Sequence, residues 1–246
     1  MSDVVGIQAV RAVLNQSPNR ARCLYIGRGR RDARVSELIA LAKDAGVRFR
    51  SVEPQFFQRR VEQDVAHQQV LLECHEIETA AEGALLTHVD TLACPFLLIL
   101  DGITDPRNLG ACLRTAHAAG VDAVVLPTNK SAPLSTVALK TAQGGAEGLF
   151  IAEVTNLSRT LKALQQRGVW LVGAAGESAA NYTSVDLNVA TGIVMGAEAK
   201  GLRRLTREHC DHLVSIPMAG SVSSLNVAVA TGVLLFEVVR QRAMAD

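Results

Sequence analysis

The sequence predicts an α/β fold in two parts, the larger and C-terminal one a mainly parallel sheet with helices on both faces. Continuous apolar runs such as PFLLIL, DAVVLP and LFIAEV are what strands buried on both faces require. They alternate with segments whose apolar residues recur at helical spacing. A third observation places the ligand side: the runs near Ile193 and Leu213 each feed a loop of Gly, Ser and Ala. Open parallel sheets bind ligands outside the C-terminal ends of their strands.

Residues 1–78 read in turn as GIQAVRAVL, CLYIG, VSELIALAKDAG, VRFRSV, PQFFQRRV and QVLLEC, helix and strand patterns alternating, which makes a smaller α/β domain. Between Arg20 and Arg34 stand Arg20, Arg22, Arg28, Arg30, Arg31 and Arg34 against a single acid, Asp32. Such a run is either a solvated face or, because the arginine fork matches phosphate, an RNA contact. Arg28, Arg30 and Arg31, around Gly29 in an expected loop, are the candidate RNA-binding residues. Tyr25, Phe49, Phe56 and Phe57 are either core or platforms for bases. Residues 79–93, ETAAEGALLTHVDTL and its edges, turn acidic and lose β character, and read as a linker with a helical turn.

Residues 94–246 form the second domain. PFLLIL delivers DGITDPRNLGACLRTAHAAG, where Pro106 sets the helix start, Asn108 can cap it, and Leu109, Leu113 and Ala116 share a face. DAVVLP, a helical stretch around SAPLSTVALKTAQGGAEG, LFIAEV, NLSRTLKALQQRG, VWLVGAAGE and TGIVMGAE follow. The closing region holds strands at Ile193 to Met195 and Leu213 to Ile216, with Gly196, Gly201 and Gly220 in the loops after them. Ser223 or Ser224 is a natural N-cap for a last helix that is apolar on nearly every face from Val227 to Val239, hence expected to be buried.

With 246 residues, 48% of them hydrophobic, the chain can bury a full core in one or two domains. No apolar run reaches the length of a membrane span, and Asp3 and Arg11 interrupt the place of a signal peptide. Cys23, Cys74, Cys94, Cys112 and Cys210 are odd in number and lack a C-x-x-C spacing, which suits reduced thiols in the cytoplasm. A formal charge of +1 excludes no partner. There is no G-x-G-x-x-G after a strand and no G-x-x-x-x-G-K-[ST], against dinucleotide and P-loop sites. His209, Cys210, Asp211 and His212 are adjacent and would splay, so no metal is expected there, and Ser223 and Ser224 do not stand in G-x-S-x-G.

Three segments carry a resemblance: DPRNLGACLRTAHAAGVDAVVLP, IVMGAEAKGL and SIPMAGSVSSLNVAVATGVLLFE. In this order they resemble the three motifs of the SpoU/TrmH branch of the SPOUT superfamily, S-adenosylmethionine-dependent RNA ribose 2′-O-methyltransferases. The first 78 residues resemble the ribosomal-protein-like substrate-binding domain of the type that methylates a guanosine ribose in the peptidyl-transferase loop of 23S rRNA. The resemblance implies a deep trefoil knot in the C-terminal domain, a homodimer in which both chains contribute to a site, and 23S rRNA or a large-subunit assembly particle as partner. It gives Asn108 and Arg114 the places of the first motif, Gly196 and Glu198 those of the second, and Ile216, Ser224, Leu225 and Asn226 those of the third. Cofactor is expected on backbone near Gly173, Gly196, Ile216, Met218 and Leu225; the catalytic set is Asn108, Arg114, Glu198, Ser224 and Asn226.

The implied reaction needs in-line attack of a ribose hydroxyl on a sulfonium methyl, so positioning and stabilisation of a developing alkoxide dominate. A guanidinium rarely gives up its proton. Arg114 is therefore expected to bind the adjacent phosphate or to lower the hydroxyl's pKa electrostatically, with solvent, phosphate or a neighbour taking the proton. Asn108 and Asn226 would orient arginine or ribose. Ser224 either touches substrate or only caps the last helix, and Glu198 either pairs with arginine, accepts a hydrogen bond or serves a helix dipole. The alternatives to an rRNA enzyme are a tRNA guanosine 2′-O-methyltransferase, which tends to lack an N-terminal domain of this kind, and a non-catalytic assembly factor or regulator.

Overall fold

The computed structural model describes residues 2–30, 32–61, 67–198 and 201–245. Strands β1 (Ser2–Val5), β2 (Ala21–Gly27), β3 (Arg48–Val52) and β4 (Val70–Cys74) make a four-stranded sheet of order β1-β4-β2-β3. β4 runs antiparallel to β1 and β2, while β2 and β3 are parallel. Alternation along the strands sends Leu24, Ile26 and Leu72 to the face covered by α1 (Ile7–Gln16) and α2 (Ala33–Asp44). Val5 and Leu71 go to the other face, under Phe57 of α3 (Pro54–Arg60).

The second sheet has six strands, all parallel: β5 (Phe96–Asp101), β6 (Ala123–Pro127), β7 (Phe150–Val154), β8 (Trp170–Ala174), β9 (Thr191–Gly196) and β10 (His212–Val214), in the order β10-β8-β9-β5-β6-β7. β5 and β9 are buried along their whole length because helices cover both faces. On one face Leu98 and Leu100 pack with α5 (Pro106–Ala118), α6 (Thr136–Ala142) and α9 (Val227–Ala245); on the other Leu97 and Ile99 pack with α4 (Glu82–Asp90) and α7 (Leu157–Gln165). From β9 the chain crosses β8, forms α8 (Arg204–Glu208) and β10, and returns as α9 against α5.

α4 stands in the stretch expected as a linker, and it is built into the second core. Leu85 and Val89 are buried, Ala80 exchanges backbone hydrogen bonds with Ile151 and Glu153, and Glu82 pairs with Arg159. β10 ends at Val214, earlier than expected, because Ser215 turns to hydrogen-bond Ala180 and Tyr182 outside the sheet.

α9 departs from the expectation twice. Neither Ser223 nor Ser224 caps it; Asn226 does, its Oδ1 accepting the Ala228 N–H at 2.9 Å. Nor is it buried all round, since Val229 is 52% and Phe236 48% exposed. The two lie seven residues apart on one stripe. Among the described residues no helix is long and apolar enough to cross a membrane.

The two sheets meet where α1 reaches the loop between α6 and β7. Arg20 pairs with Glu147, whose side chain is only 3% exposed, and also donates to the His75 carbonyl. Ser17 Oγ donates to the Glu147 carbonyl at 3.0 Å. A Cβ on Gly144 would come 2.1 Å from that of Ala12, so the close approach requires glycine. Arg20 therefore leaves the arginine run and serves the joint.

Candidate functional site

The site is built at the C-terminal ends of β5, β8, β9 and β10, where two clefts open on either side of the segment 224–227. The first, about 550 Å³, lies between the loops after β5 and β9; Asn108, Glu198, Lys130 and Arg203 line it, with Val227 at its edge. The second, about 460 Å³, lies between the ends of β8 and β10 and the loop 216–225; its walls include Ala174, Gly176, Ile216, Met218, Ser224 and Leu225.

Local chemistry sets the first cleft. α5 is capped by Asp105, whose Oδ1 accepts the Arg107 N–H at 2.8 Å, rather than by Asn108 as expected. Pro106 takes the first helical position, where a missing N–H costs nothing. Asn108 is thereby free to turn toward α9. Asn226 Nδ2 donates to Asn108 Oδ1 at 3.0 Å and to Glu198 Oε1 at 2.5 Å, which joins the first, second and third motifs through one amide. The amide orientation follows from this network, since its other atom must accept from Ala228.

Glu198 reaches this point through a tight turn. Ala197 N–H donates to the Gly201 carbonyl and Gly201 N–H to that of Ala197, at 3.1 and 2.7 Å. The turn folds back so closely that a Cβ on Gly196 would meet the Gly201 carbonyl carbon at 2.1 Å. Gly196 is required by backbone contact within the protein. Gly173 is likewise a packing residue: it is in β8 and a Cβ there would come 2.7 Å from Cys210 Sγ and 2.8 Å from Leu202. The neighbouring Ala174 and Gly176 reach the second cleft.

Ile216, Met218, Ser224 and Leu225 come together around the second cleft. Among the described residues no backbone hydrogen bond involves residues 216–225. Their N–H and C=O groups therefore stand ready for a ligand or water, as backbone polar groups must be satisfied by something. Gly176 and Gly220 face open space, with no heavy atom within 4 Å of where a Cβ would be.

Arg114 is not brought into either cleft. It is exposed on α5, six residues beyond Asn108 and so roughly 120° around the helix from it. Among the described residues its side chain makes no hydrogen bond or ion pair. The buried face of the same helix, in contrast, is tied to the core: Cys112 Sγ lies 3.5 Å from Thr231 Oγ1 of α9, and burial pushes its thiol up to about 11. Sequence reading missed Asp101, Lys130 and Arg203. The signal for the first was present, an acid closing an otherwise apolar strand.

In the N-terminal part, just beyond the end of β2, Arg28 is exposed and Arg30 half-buried, and both are paired locally, Arg28 with Glu53 at 2.6 Å and Arg30 with Asp32 at 2.8 Å. The Arg30 hydrogen bond holds the Asp32 carboxyl below its ordinary range. Arg31 lies outside the described residues. Phe57 is core, Phe49 is 44% exposed, and Tyr25 and Phe56 stack with centroids 4.6 Å apart under the Arg60 guanidinium. The His209–His212 turn is engaged in packing: Asp211 accepts the Leu171 N–H at 2.8 Å and His212 stacks on Trp170.

Comparison with known proteins agrees with this architecture. The SpoU rRNA Methylase family model matches residues 95–236, and the model for RNA 2'-O ribose methyltransferase substrate binding matches residues 4–80. The 23S rRNA (guanosine-2'-O-)-methyltransferase RlmB of Yersinia pestis is 49% identical over 245 residues, 99% of each chain. The protein of the same name from Pseudomonas aeruginosa is 51% identical over 242 residues, covering 97% of this chain and 96% of that one. Among solved structures, the SpoU methyltransferase AviRb from Streptomyces viridochromogenes, in complex with the cofactor AdoMet, has the same fold at a TM-score of 0.79 and 23% identity, over 98% of this chain and 90% of that one. By its two motif-bearing clefts and by these full-length matches, the chain belongs to the SpoU rRNA methylase family.

Proposed function

We propose that this chain methylates the ribose 2′-hydroxyl of a guanosine in the peptidyl-transferase loop of 23S rRNA, with S-adenosylmethionine as methyl donor. The observation that carries the reading is the joining of Asn108, Glu198 and Asn226 by one side-chain amide, in a chain matched end to end by 23S rRNA (guanosine-2'-O-)-methyltransferases. Residues 1–78 are the RNA-binding domain, 94–246 the catalytic domain with its knot, and 79–93 the connection that α4 docks onto the latter. The strand order, with β10 outside β8 and α9 returning to α5, suits such a knot.

The second cleft fits the methyl donor. Small and apolar residues such as Ala174, Ala175, Ile216 and Leu225 give it a surface for an adenine ring, while its serines and the unpaired backbone of 216–225 can hold the polar ends. Ile216, Met218 and Leu225 would hold the cofactor, with Gly173 and Gly196 shaping the strand ends beside it. When bound, the group supplies an electrophilic methyl on a positively charged sulfur, with a neutral thioether as leaving group.

The protein's share is positioning. Asn226 fixes Glu198 against Asn108 and thereby sets the wall facing the ribose, while Ser224 stands on the shared segment at the opening of the cofactor cleft. Arg114 stabilises the developing 2′-alkoxide as a permanent cation. In a homodimer, Arg114 of one protomer serves the cleft of the other, which accords with its exposed position outside both clefts of its own chain. The exposed Val229 and Phe236 stripe on α9 is the apolar surface such a pairing would cover.

Incubation with S-adenosylmethionine and unmodified 23S rRNA, followed by alkaline hydrolysis, tests the reading. A 2′-O-methyl group removes the internal nucleophile, so one gap in the ladder at a guanosine is expected. Label in a base, or a gap in tRNA alone, would overturn it. Sedimentation at micromolar concentration should show a dimer that Phe236→Arg disrupts; a fully active monomer at nanomolar concentration would refute the shared site.

A further inference from the structure

The buried carboxylate at the end of β5 has no part in the chemistry above, yet it organises the first cleft. Asp101 is 0% exposed, and its Oδ2 accepts the backbone N–H of Arg203 at 2.9 Å. Its Oδ1 is also buried and accepts no hydrogen bond, with Arg203 Nε 3.3 Å away but not directed at it. A buried anion is costly unless a cation stands beside it, so Asp101 draws the Arg203 side chain over the end of β5.

Two more contacts define where that side chain lies. The guanidinium passes over Gly102, which has φ +81° and where a Cβ would come 2.9 Å from Nη2. Nη2 donates to the Lys130 carbonyl at 3.4 Å, in a loop that is itself pinned by Ala132 N–H donating to the Ile103 carbonyl at 2.7 Å. Arg203 is thus held by the hydrogen bonds of its backbone N–H and its Nη2, and by the ion pair between Nε and Asp101. Its side chain is nevertheless 41% exposed, on the wall of the cleft that holds Asn108 and Glu198. Among the described residues Nη1 donates no hydrogen bond, and Lys130, a residue of the same cleft lining, has no hydrogen-bond or ion-pair partner for its ammonium.

A strut would direct its donors into the protein. This arginine commits Nη2 to the Lys130 carbonyl, stands beside the Asp101 carboxylate without hydrogen-bonding it through its side chain, and leaves Nη1 unpaired, with a second cationic residue, Lys130, in the lining of the same cleft. A planar fork with free donors matches the two oxygens of a phosphodiester, and a lysine adds a point charge. The cleft also carries Asp105 and Glu198, which would repel an RNA backbone were these two cations not there. Arg114, assigned above to the alkoxide, does not line this cleft within its own chain.

We propose that Arg203, held by Asp101 and joined by Lys130, is a positioning residue that binds an RNA phosphodiester adjoining the methylated ribose. The proposal rests on reading the first cleft as the ribose site. The variants are Arg203→Met, which keeps an apolar stem over Gly102 but removes the donors, Arg203→Lys and Lys130→Ala. Each is measured for binding of an unmodified 23S rRNA transcript over a salt series, for steady-state methyl transfer, and for S-adenosylmethionine affinity by calorimetry. Arg203→Met should raise KM for RNA about tenfold and flatten the log–log salt dependence by about 0.7 for each phosphate that the variant no longer neutralises. Cofactor affinity should stay within about twofold, lysine should restore part of KM, and Lys130→Ala should move the slope in the same direction by less.

An unchanged salt slope in Arg203→Met, with lowered melting temperature or weakened cofactor binding, would make the pair a strut and overturn the proposal. Should Arg203→Met not fold, the exposed Lys130→Ala decides, and an unchanged slope there overturns the site. The RNA-binding arm needs no turnover, so the two readings fail separately: a wild-type chain that binds rRNA through this slope but leaves no gap in the ladder sinks only the proposed reaction. A wild-type chain that binds no RNA sinks both.

Discussion

Replacing Asn226 separates two roles carried by one side chain. Its Oδ1 caps α9 at Ala228, and its Nδ2 ties Glu198 to Asn108. Alanine removes both. The cap contributes about 1 kcal/mol, and the two partly exposed hydrogen bonds about 1 kcal/mol more in net terms. For a chain of this length a loss of about 2 kcal/mol lowers Tm by roughly 4–8 °C. Serine restores a capping oxygen without the amide donors, so Asn226→Ser should recover about half of that loss. In catalysis the two variants should be equally impaired, since both release Glu198: a hydrogen bond to a charged group worth about 1.5–3 kcal/mol corresponds to roughly 10- to 100-fold in kcat. Calorimetric melting paired with single-turnover methyl transfer to 23S rRNA measures both. Wild-type turnover in Asn226→Ser, or a destabilised alanine variant that turns over normally, would reduce Asn226 to a cap and refute the reasoning.

Arg114→Ala should reduce methyl transfer by at least about 100-fold while cofactor affinity stays within about threefold; a large loss of cofactor binding with normal turnover at saturation would contradict its placement at the ribose. Replacing Arg28, Arg30 and Arg31 together by alanine should weaken RNA binding and flatten its salt dependence, with cofactor affinity untouched; an unchanged slope would mean that the local pairing with Glu53 and Asp32 is all these arginines do. The Glu237 carboxyl is held below its ordinary value of 4.5, first by its hydrogen bond from Arg240, so the stability it contributes is complete above that ordinary value and is lost as pH falls through the lower folded value. Thermal melts of Glu237→Gln should therefore show a deficit at neutral pH that closes in acid, and a deficit independent of pH would assign it to packing alone. Burial pushes the Cys74 and Cys210 thiols up to about 12, whereas Cys94 is exposed. Alkylation of the native chain followed by mass mapping should label Cys94 first, and early labelling of Cys210 would contradict the packing around Gly173.

Strands buried on both faces and the residues of the three motifs were legible because each is written in consecutive residues: FLLIL is short and bounded by Pro95 and by Asp101-Gly102, which marks it as a strand where the similar VLLF run inside the long α9 is helical, and the motifs keep their order. The caps were not. Asp105 and Asn108, or Ser224 and Asn226, are equally good capping types, and which one takes the extended backbone before the helix depends on how the loop lands on the rest of the sheet. The exposed stripe of α9 was hidden for a related reason, since a helix apolar all round carries no mark of which face meets water. β1 has four residues and no strong pattern, and is held by pairing with β4 some seventy positions away. Distance in sequence also concealed the fate of Arg20: its partner Glu147 lies in a loop of the other domain, between α6 and β7, so a local reading could only count it with its neighbours.

That joint bears on how the two halves can be exchanged. Glu147 is nearly enclosed, and its counter-charge is supplied by a residue encoded 127 positions earlier. A chimera that kept residues 94–246 but took its first 78 from another protein would leave the carboxylate enclosed without a cation, a fault that costs about 3–5 kcal/mol. The joint also ties position 144 to position 12, because a Cβ on Gly144 would come 2.1 Å from that of Ala12. Grafting a new RNA preference onto this catalytic half therefore means carrying Ala12, Ser17 and Arg20 along as a unit, whatever else in the donor domain is changed.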